Sequence, residues 1–200
     1  MKNQTSPNTY TVKWLANFKE SLVDDKGEVK ALPIGNDLVT AFDWLEFYPD
    51  GNGRIRARHE RKCYLFNADL TPIALEIDGK QVTEFSWLRI YPDGRIIAEH
   101  GDKYYGFNAD LTPITLLIKG GQVSAFGVLN LHHTGMISAT HEGKYYGFNA
   151  DLTPIALEIK GALRVAFEGL EFYLYGRIKA RHEGKFYGFN ADGKTILTSS

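Results

Sequence analysis

Four histidines, His59, His100, His141 and His182, recur 41 residues apart, and each has a glutamate beside it: Glu60, Glu99, Glu142 and Glu183. An imidazole next to a carboxylate in every copy could bind a ligand through hydrogen bonds and charge. Three or four such histidines converging on one axis could hold a metal ion. The same histidines also continue an Ile-x-Ala-x-His alternation. An imidazole at a strand end, bonded to a neighbouring backbone group, therefore accounts for them without any ligand.

Trp44, Trp87, Tyr104 and Tyr145 offer a second chemistry. An aromatic face covers the C–H surface of a sugar ring while nearby Asn, Asp, Glu or backbone groups bond its hydroxyls, so one such site per copy is an expectation. The same rings serve equally well as core between packed sheets. Asn67, Asn108, Asn149 and Asn190, with Asp69, Asp110, Asp151 and Asp192, read as a repeated Asx turn whose side chains bond their own backbone. The spacing of a calcium loop is absent.

No Gly-x-Ser-x-Gly, no His-Glu-x-x-His and no phosphate-binding glycine loop occurs. Catalysis calls for an asymmetric constellation, whereas these polar residues recur in every copy, so the chain reads as a non-enzyme with no catalytic residues, metal or cofactor. Lys and Arg number 23 against 24 Asp and Glu, interspersed, which leaves no basic field for a phosphate backbone. Nucleic acid is not expected as a partner. Cys63 is the only cysteine and stands where other copies carry Tyr104, Tyr145 and Phe186, so no internal disulfide is expected. No apolar run reaches the length of a membrane span, and the start, Met1 to Tyr10, lacks a signal-peptide core. The expectation is a soluble chain, cytoplasmic or released without a signal peptide.

These residues ride on a repeat. Asn-Ala-Asp returns every 41 residues from Asn67, and so regular a period means that the fold is built by repetition. The chain reads as a single repeat domain with a degenerate first unit at 9–37 and clear copies at 38–80, 81–121, 122–163 and 164–200, preceded by a polar tail. In the copy at 81–121 the apolar alternation and the turn residues predict strands at 82–91, 95–100, 103–108 and 113–119. Parity puts Leu88, Ile90, Ile96, Ala98, Tyr105 and Phe107 in the core, with Arg89 and Arg95 opposite. The segment from Phe18 to Ala31 reads as a worn copy of Phe85 to Ala98. The turn from Pro49 to Gly53 carries two extra residues, and Thr195 to Thr198 is expected to be a strand. Four short antiparallel strands per 41 residues is the size of one β-propeller blade. The fold class is therefore all-β, a four- or five-bladed propeller, with an open stack of hairpins as the alternative.

The hairpin Phe85-x-x-Leu88-x-x-Tyr91-Pro92-Asp93-Gly94-x-Ile96-x-Ala98-x-His100 with Tyr104 after it, and its equivalents in the other copies, resembles the tachylectin-2 type of five-bladed propeller lectin. That family's Trp-Leu-Ala-Arg-Ala tract and Gly-Gly-Trp are replaced here by Asn-Ala-Asp-Leu-Thr-Pro-Ile and Lys-Gly-Gly-Gln-Val. Lys-Tyr-Tyr-Gly-Phe-Asn-Ala-Asp bears a fainter resemblance to bacterial WG and cell-wall-binding hairpin repeats. The resemblance implies non-catalytic, multivalent carbohydrate binding at equivalent sites between repeats, with a glycan or glycoconjugate as partner. A protein-interaction or structural module is the alternative.

Overall fold

The computed structural model describes residues 10–15, 17–48, 53–132, 134–190, 193 and 195–199. The extra turn residues at 49–52, Asp192 and the polar tail lie outside them.

In the copy at 122–163, Val128–Leu131, Ile137–His141 and Lys144–Phe148 form a three-stranded antiparallel sheet with Leu129 opposite Ala139 and Ala139 opposite Tyr146. Pairing of that parity places Leu129, Leu131, Ile137, Ala139, Tyr146 and Phe148 on one buried face. A tight hairpin follows, Leu157–Ile159 with Ala162–Arg164. Its turn residues Lys160 and Gly161 both take left-handed backbone, at φ +52° and +76°, the twist that suits a two-residue connection.

Between sheet and hairpin lies the Asn-Ala-Asp turn. The Asn149 amide donates to Thr153 Oγ1 at 2.9 Å, and the Thr153 hydroxyl and backbone N–H both donate to Asp151 Oδ1, at 2.6 and 3.0 Å. The same three bonds recur at Asn67-Asp69-Thr71 and Asn108-Asp110-Thr112. The alanine has its own reason: a Cβ on Gly135, in the preceding hairpin turn, would lie 2.8 Å from Ala150 Cβ, and one on Gly94 would lie 2.9 Å from Ala109 Cβ. Leu70, Leu111 and Leu152 sit in left-handed backbone in this turn, and Gly193 takes that place in the last copy.

The fourth strand differs from the expectation. The span predicted at 82–91 is broken: Lys80–Val82 belongs to a hairpin with Leu75–Ile77, Phe85 makes a lone bridge to Cys63, and only Trp87–Ile90 continues as strand. The outer edge of each third strand is shared. Pro154 of the same copy bridges Phe148, and Phe167 of the next bridges Tyr145. In the last copy a single strand, Thr195–Ser199, covers the whole edge of Lys185–Phe189. It supplies from one segment what two segments supply elsewhere, and it is the strand that the sequence announced.

The first unit is also corrected. Thr11–Trp14 and Glu20–Val23 pair, Val29 lies opposite Val23, and the hairpin Leu32–Ile34 with Asp37–Val39 follows. Phe42 then bridges Glu20 as Phe85 bridges Cys63. The unit therefore matches the second half of a copy, from Ile96 onward, rather than the first half from Phe85.

The chain packs as two compact units, one reaching Gly101 and including Gly106–Pro113, the other comprising Asp102–Tyr105 and everything from Ile114. In the first, Leu22, Leu32, Phe42, Leu45, Ile55 and Phe66 head the core; in the second, Leu157, Phe167, Leu170, Ala180, Tyr187 and Phe189 do. In the copy at 122–163, one face of the sheet is apolar, and the other mixes small, polar and aromatic residues, among them Asn130, Ser138, Thr140, Tyr145 and Gly147. A Cβ on Gly147 would stand 3.0 Å from Leu170 and Phe172 of the next sheet, so the glycine lets successive sheets stack closely. The fold is all-β, made of small antiparallel sheets in tandem. No helix among the described residues is long and apolar enough to cross a membrane.

Candidate functional site

In the first unit a groove lies between a hairpin tip and the third strand of the following sheet. It has a volume of about 160 Å³ and is lined by Pro33, Ile34, Gly35, Tyr64, Phe66 and Pro72. Tyr64 is 7% exposed, and its hydroxyl donates to Glu84 Oε2 at 3.4 Å. Burial and the Glu84 carboxylate push its pKa up to about 12, so at neutral pH the phenol is a donor. Lys62 pairs with Glu84 at 3.0 Å, and Glu60 occupies the adjoining turn.

The second unit shows the same place twice with a lysine added. Pairing of Leu116–Ile118 with Gly121–Val123 puts Lys119 where the first hairpin has Gly35. Lys119 Nζ lies 2.6 Å from Glu142 Oε2, and Lys160 Nζ lies 3.0 Å from Glu183 Oε2. Each glutamate stands in the turn that leads into the strand carrying a buried tyrosine, Tyr146 after Glu142 and Tyr187 after Glu183. Tyr146 is 3% exposed, and its hydroxyl has no hydrogen-bond partner among the described residues. The equivalent Tyr105 was read from the sequence as core. The signal that could have singled these tyrosines out is the choice of Tyr over Phe at a buried position in every copy, Tyr64, Tyr105, Tyr146 and Tyr187, since a buried phenol needs somewhere for its oxygen to go.

The histidines take the strand-end position. His59 Nδ1 lies 3.3 Å from the Ala41 carbonyl and His100 Nδ1 lies 3.4 Å from the Glu84 carbonyl. His59, His141 and His182 each stand 3.8–3.9 Å from the glutamate that follows, Glu60, Glu142 and Glu183. Those three glutamates occupy the first, left-handed position of their turns. Glu99 does not join them: it lies within strand Ile96–His100, opposite Trp87, and Gly101 holds the turn position. No group of three or more His, Cys, Asp or Glu able to hold a metal ion occurs among the described residues.

The aromatic candidates fall apart as a set. Trp44 is half-buried beneath the Arg56 guanidinium, 4.6 Å from its ring centre, and Arg56 is held in turn by Glu46 and the Leu88 carbonyl. Trp87 is 39% exposed, while the register puts Val128 and Gly169 in the corresponding places. Tyr145 packs on the core of the second unit, and Tyr104 lies opposite Phe126. Cys63 is buried, and burial pushes its thiol pKa up despite Arg56 and Arg58 nearby.

No protein-family model and no curated protein matches the chain. Similar solved structures include Hsv2 of Kluyveromyces lactis, with a TM-score of 0.42 at 11% identity over 96% of this chain and 60% of that one. A KlHsv2 with loop 6CD replaced by a Gly-Ser linker scores 0.44 at 11% identity, over 95% and 62%. Streptogramin B lyase scores 0.38 at 15% identity, over 97% and 70%. The chain spans about six tenths of the length of those Hsv2 structures.

Proposed function

We propose that this chain is a non-catalytic, multivalent binding protein whose stacked sheets are the blades of a small propeller and whose grooves between repeats take carbohydrate. Tyr146 carries the reading. Its hydroxyl is buried and lacks a partner, on the strand that follows the Glu142 turn, and leaving such a group unpaired costs about 1–3 kcal/mol. A ligand hydroxyl supplies the missing bond. Glu142, Glu183, His141 and His182 then form the polar rim, and no cofactor is required.

A glycan array followed by calorimetry tests this. The expected result is binding with a stoichiometry near the number of grooves, and Tyr146→Phe removes one site without lowering stability. A folded, monodisperse sample that binds no glycan overturns the carbohydrate reading.

A second reading, a protein partner, has its own observation. Where the other copies turn through residues such as Pro92-Asp93-Gly94, the last turns through Tyr173, Leu174 and Tyr175, which are 45%, 64% and 91% exposed. One apolar tip without counterparts suits a protein surface better than a sugar. Loss of a captured partner on Leu174→Asp and Tyr175→Asp, with glycan binding unchanged, favours this reading.

A further inference from the structure

We infer that the groove at Gly35 is a receptor for a primary ammonium group presented by a small ligand, the group that Lys119 and Lys160 themselves supply to Glu142 and Glu183 in the second unit. The inference rests on the groove reading above and names the chemistry of one groove.

One tip position carries different residues in the two units. In the second unit a hairpin-tip lysine twice places its ammonium against the turn glutamate that precedes the strand of the buried tyrosine. In the first unit the glutamate and the tyrosine are retained, as Glu60 and Tyr64, but the tip residue is Gly35. The result is a cavity of about 160 Å³, the size of a few heavy atoms, whose lining Tyr64 bonds Glu84, while Glu60 holds the turn position that Glu142 and Glu183 hold in the second unit. Glu84 has Lys62 at 3.0 Å, whereas no Lys or Arg among the described residues pairs with Glu60, which has the His59 ring at 3.9 Å. Apolar walls from Pro33, Ile34 and Pro72 suit the methylenes that carry an ammonium group. Lysine tolerates this backbone, because Lys119 and Lys160 sit at φ +52° and Gly35 sits at +59° with nothing within 4 Å of an added Cβ.

The test follows the Gly35 amide and the Tyr64 ring by NMR on the full chain, titrated with n-butylammonium, glucosamine, Nα-acetyl-lysine amide, glucose and N-acetylglucosamine. Glucosamine and n-butylammonium are expected to bind at least about tenfold tighter than glucose, the margin of one charge-assisted hydrogen bond. Glu60→Gln removes the preference, Gly35→Lys supplies the ammonium from the chain and abolishes n-butylammonium binding, and Lys119→Gly frees Glu142 and raises the n-butylammonium stoichiometry from one to two. If the lysine amide wins over glucosamine, the ammonium arrives on a peptide rather than an amino sugar. Glucose binding as tightly as glucosamine overturns this inference and leaves the groove reading standing. If the Gly35 and Tyr64 signals stay still with every probe, the inference fails, and glycan binding mapped to other grooves separates that from failure of the wider reading.

Discussion

Lys119 and Glu142 meet at 2.6 Å across two successive repeats, and both stand in left-handed backbone, at φ +52° and +48°. Each turn thus accepts a residue that glycine, asparagine or aspartate would replace at less strain. Both side chains are 62% exposed, so solvent screens the pair. Lys119 is raised above its ordinary pKa by Glu142, and Glu142 is lowered by Lys119. The attraction therefore persists through neutral pH; it is lost as pH falls through the lowered glutamate value or rises through the raised lysine value. A double-mutant cycle with Lys119→Ala and Glu142→Ala, followed by urea unfolding, should show a small coupling in dilute buffer that vanishes in about 1 M salt. Coupling that survives the salt would mean that the pair is shielded from water.

Gly94 and Ala109 give a sharper effect. Gly94→Ala adds a methyl 2.9 Å from Ala109 Cβ in backbone at φ +83°, whereas Gly101→Ala, at φ +62°, meets nothing within 4 Å. Gly101→Ala should cost about 1 kcal/mol from backbone strain alone, and Gly94→Ala at least about 1 kcal/mol more. Ala109→Gly in the Gly94→Ala background should recover part of the difference in denaturant midpoint.

The bridging phenylalanines set the stability of the array. Phe167 is fully buried, whereas Phe186 is 41% exposed. Phe167→Ala is expected to lose about 3–5 kcal/mol in urea unfolding, and Phe186→Ala less than about 1 kcal/mol. Equal losses would show that the bridge position is not where consecutive sheets are locked.

Acid should act through the Asx turns. The hydroxyl and backbone N–H of Thr71, Thr112 and Thr153 lower Asp69, Asp110 and Asp151 below the ordinary 3.8. A lowered carboxylate stabilises the fold above its unfolded pKa and loses that contribution as pH falls through the folded one. The triple variant Asp69→Asn, Asp110→Asn, Asp151→Asn should therefore be less stable at neutral pH and show a flatter decline below about pH 4. A decline as steep as that of the unmodified chain would place the acid-sensitive groups elsewhere.

The sequence carried the period, the hairpins and the buried parity, because turn chemistry and alternation are local. It misplaced what is settled at a distance. Nothing around Phe85 says that it bridges Cys63 instead of extending Trp87–Ile90, since the partner lies in the preceding copy. The first unit was misaligned because Phe18 to Ala31 has the right residue types for a first hairpin, while its pairing is that of a second one. At the site, His59 and Glu60 were visible as recurrent polar residues, but Gly35 drew no notice, because its role is the volume that it leaves empty. Of the aromatic candidates, Trp44 and Trp87 share one register position, and Val128 and Gly169 hold it in the later copies.

Arg54 bears on how such an array can be edited. Its buried guanidinium donates to the carbonyls of Gly94 and Ala109, one copy further on, while in a later copy the corresponding Met136 packs against apolar neighbours. The backbones of the two copies are interchangeable, but their side chains are not. The receptor is two backbone carbonyls, so a module transplanted one place along keeps a receptor and loses only the fork, and recombining modules calls for carrying the arginine across with its copy.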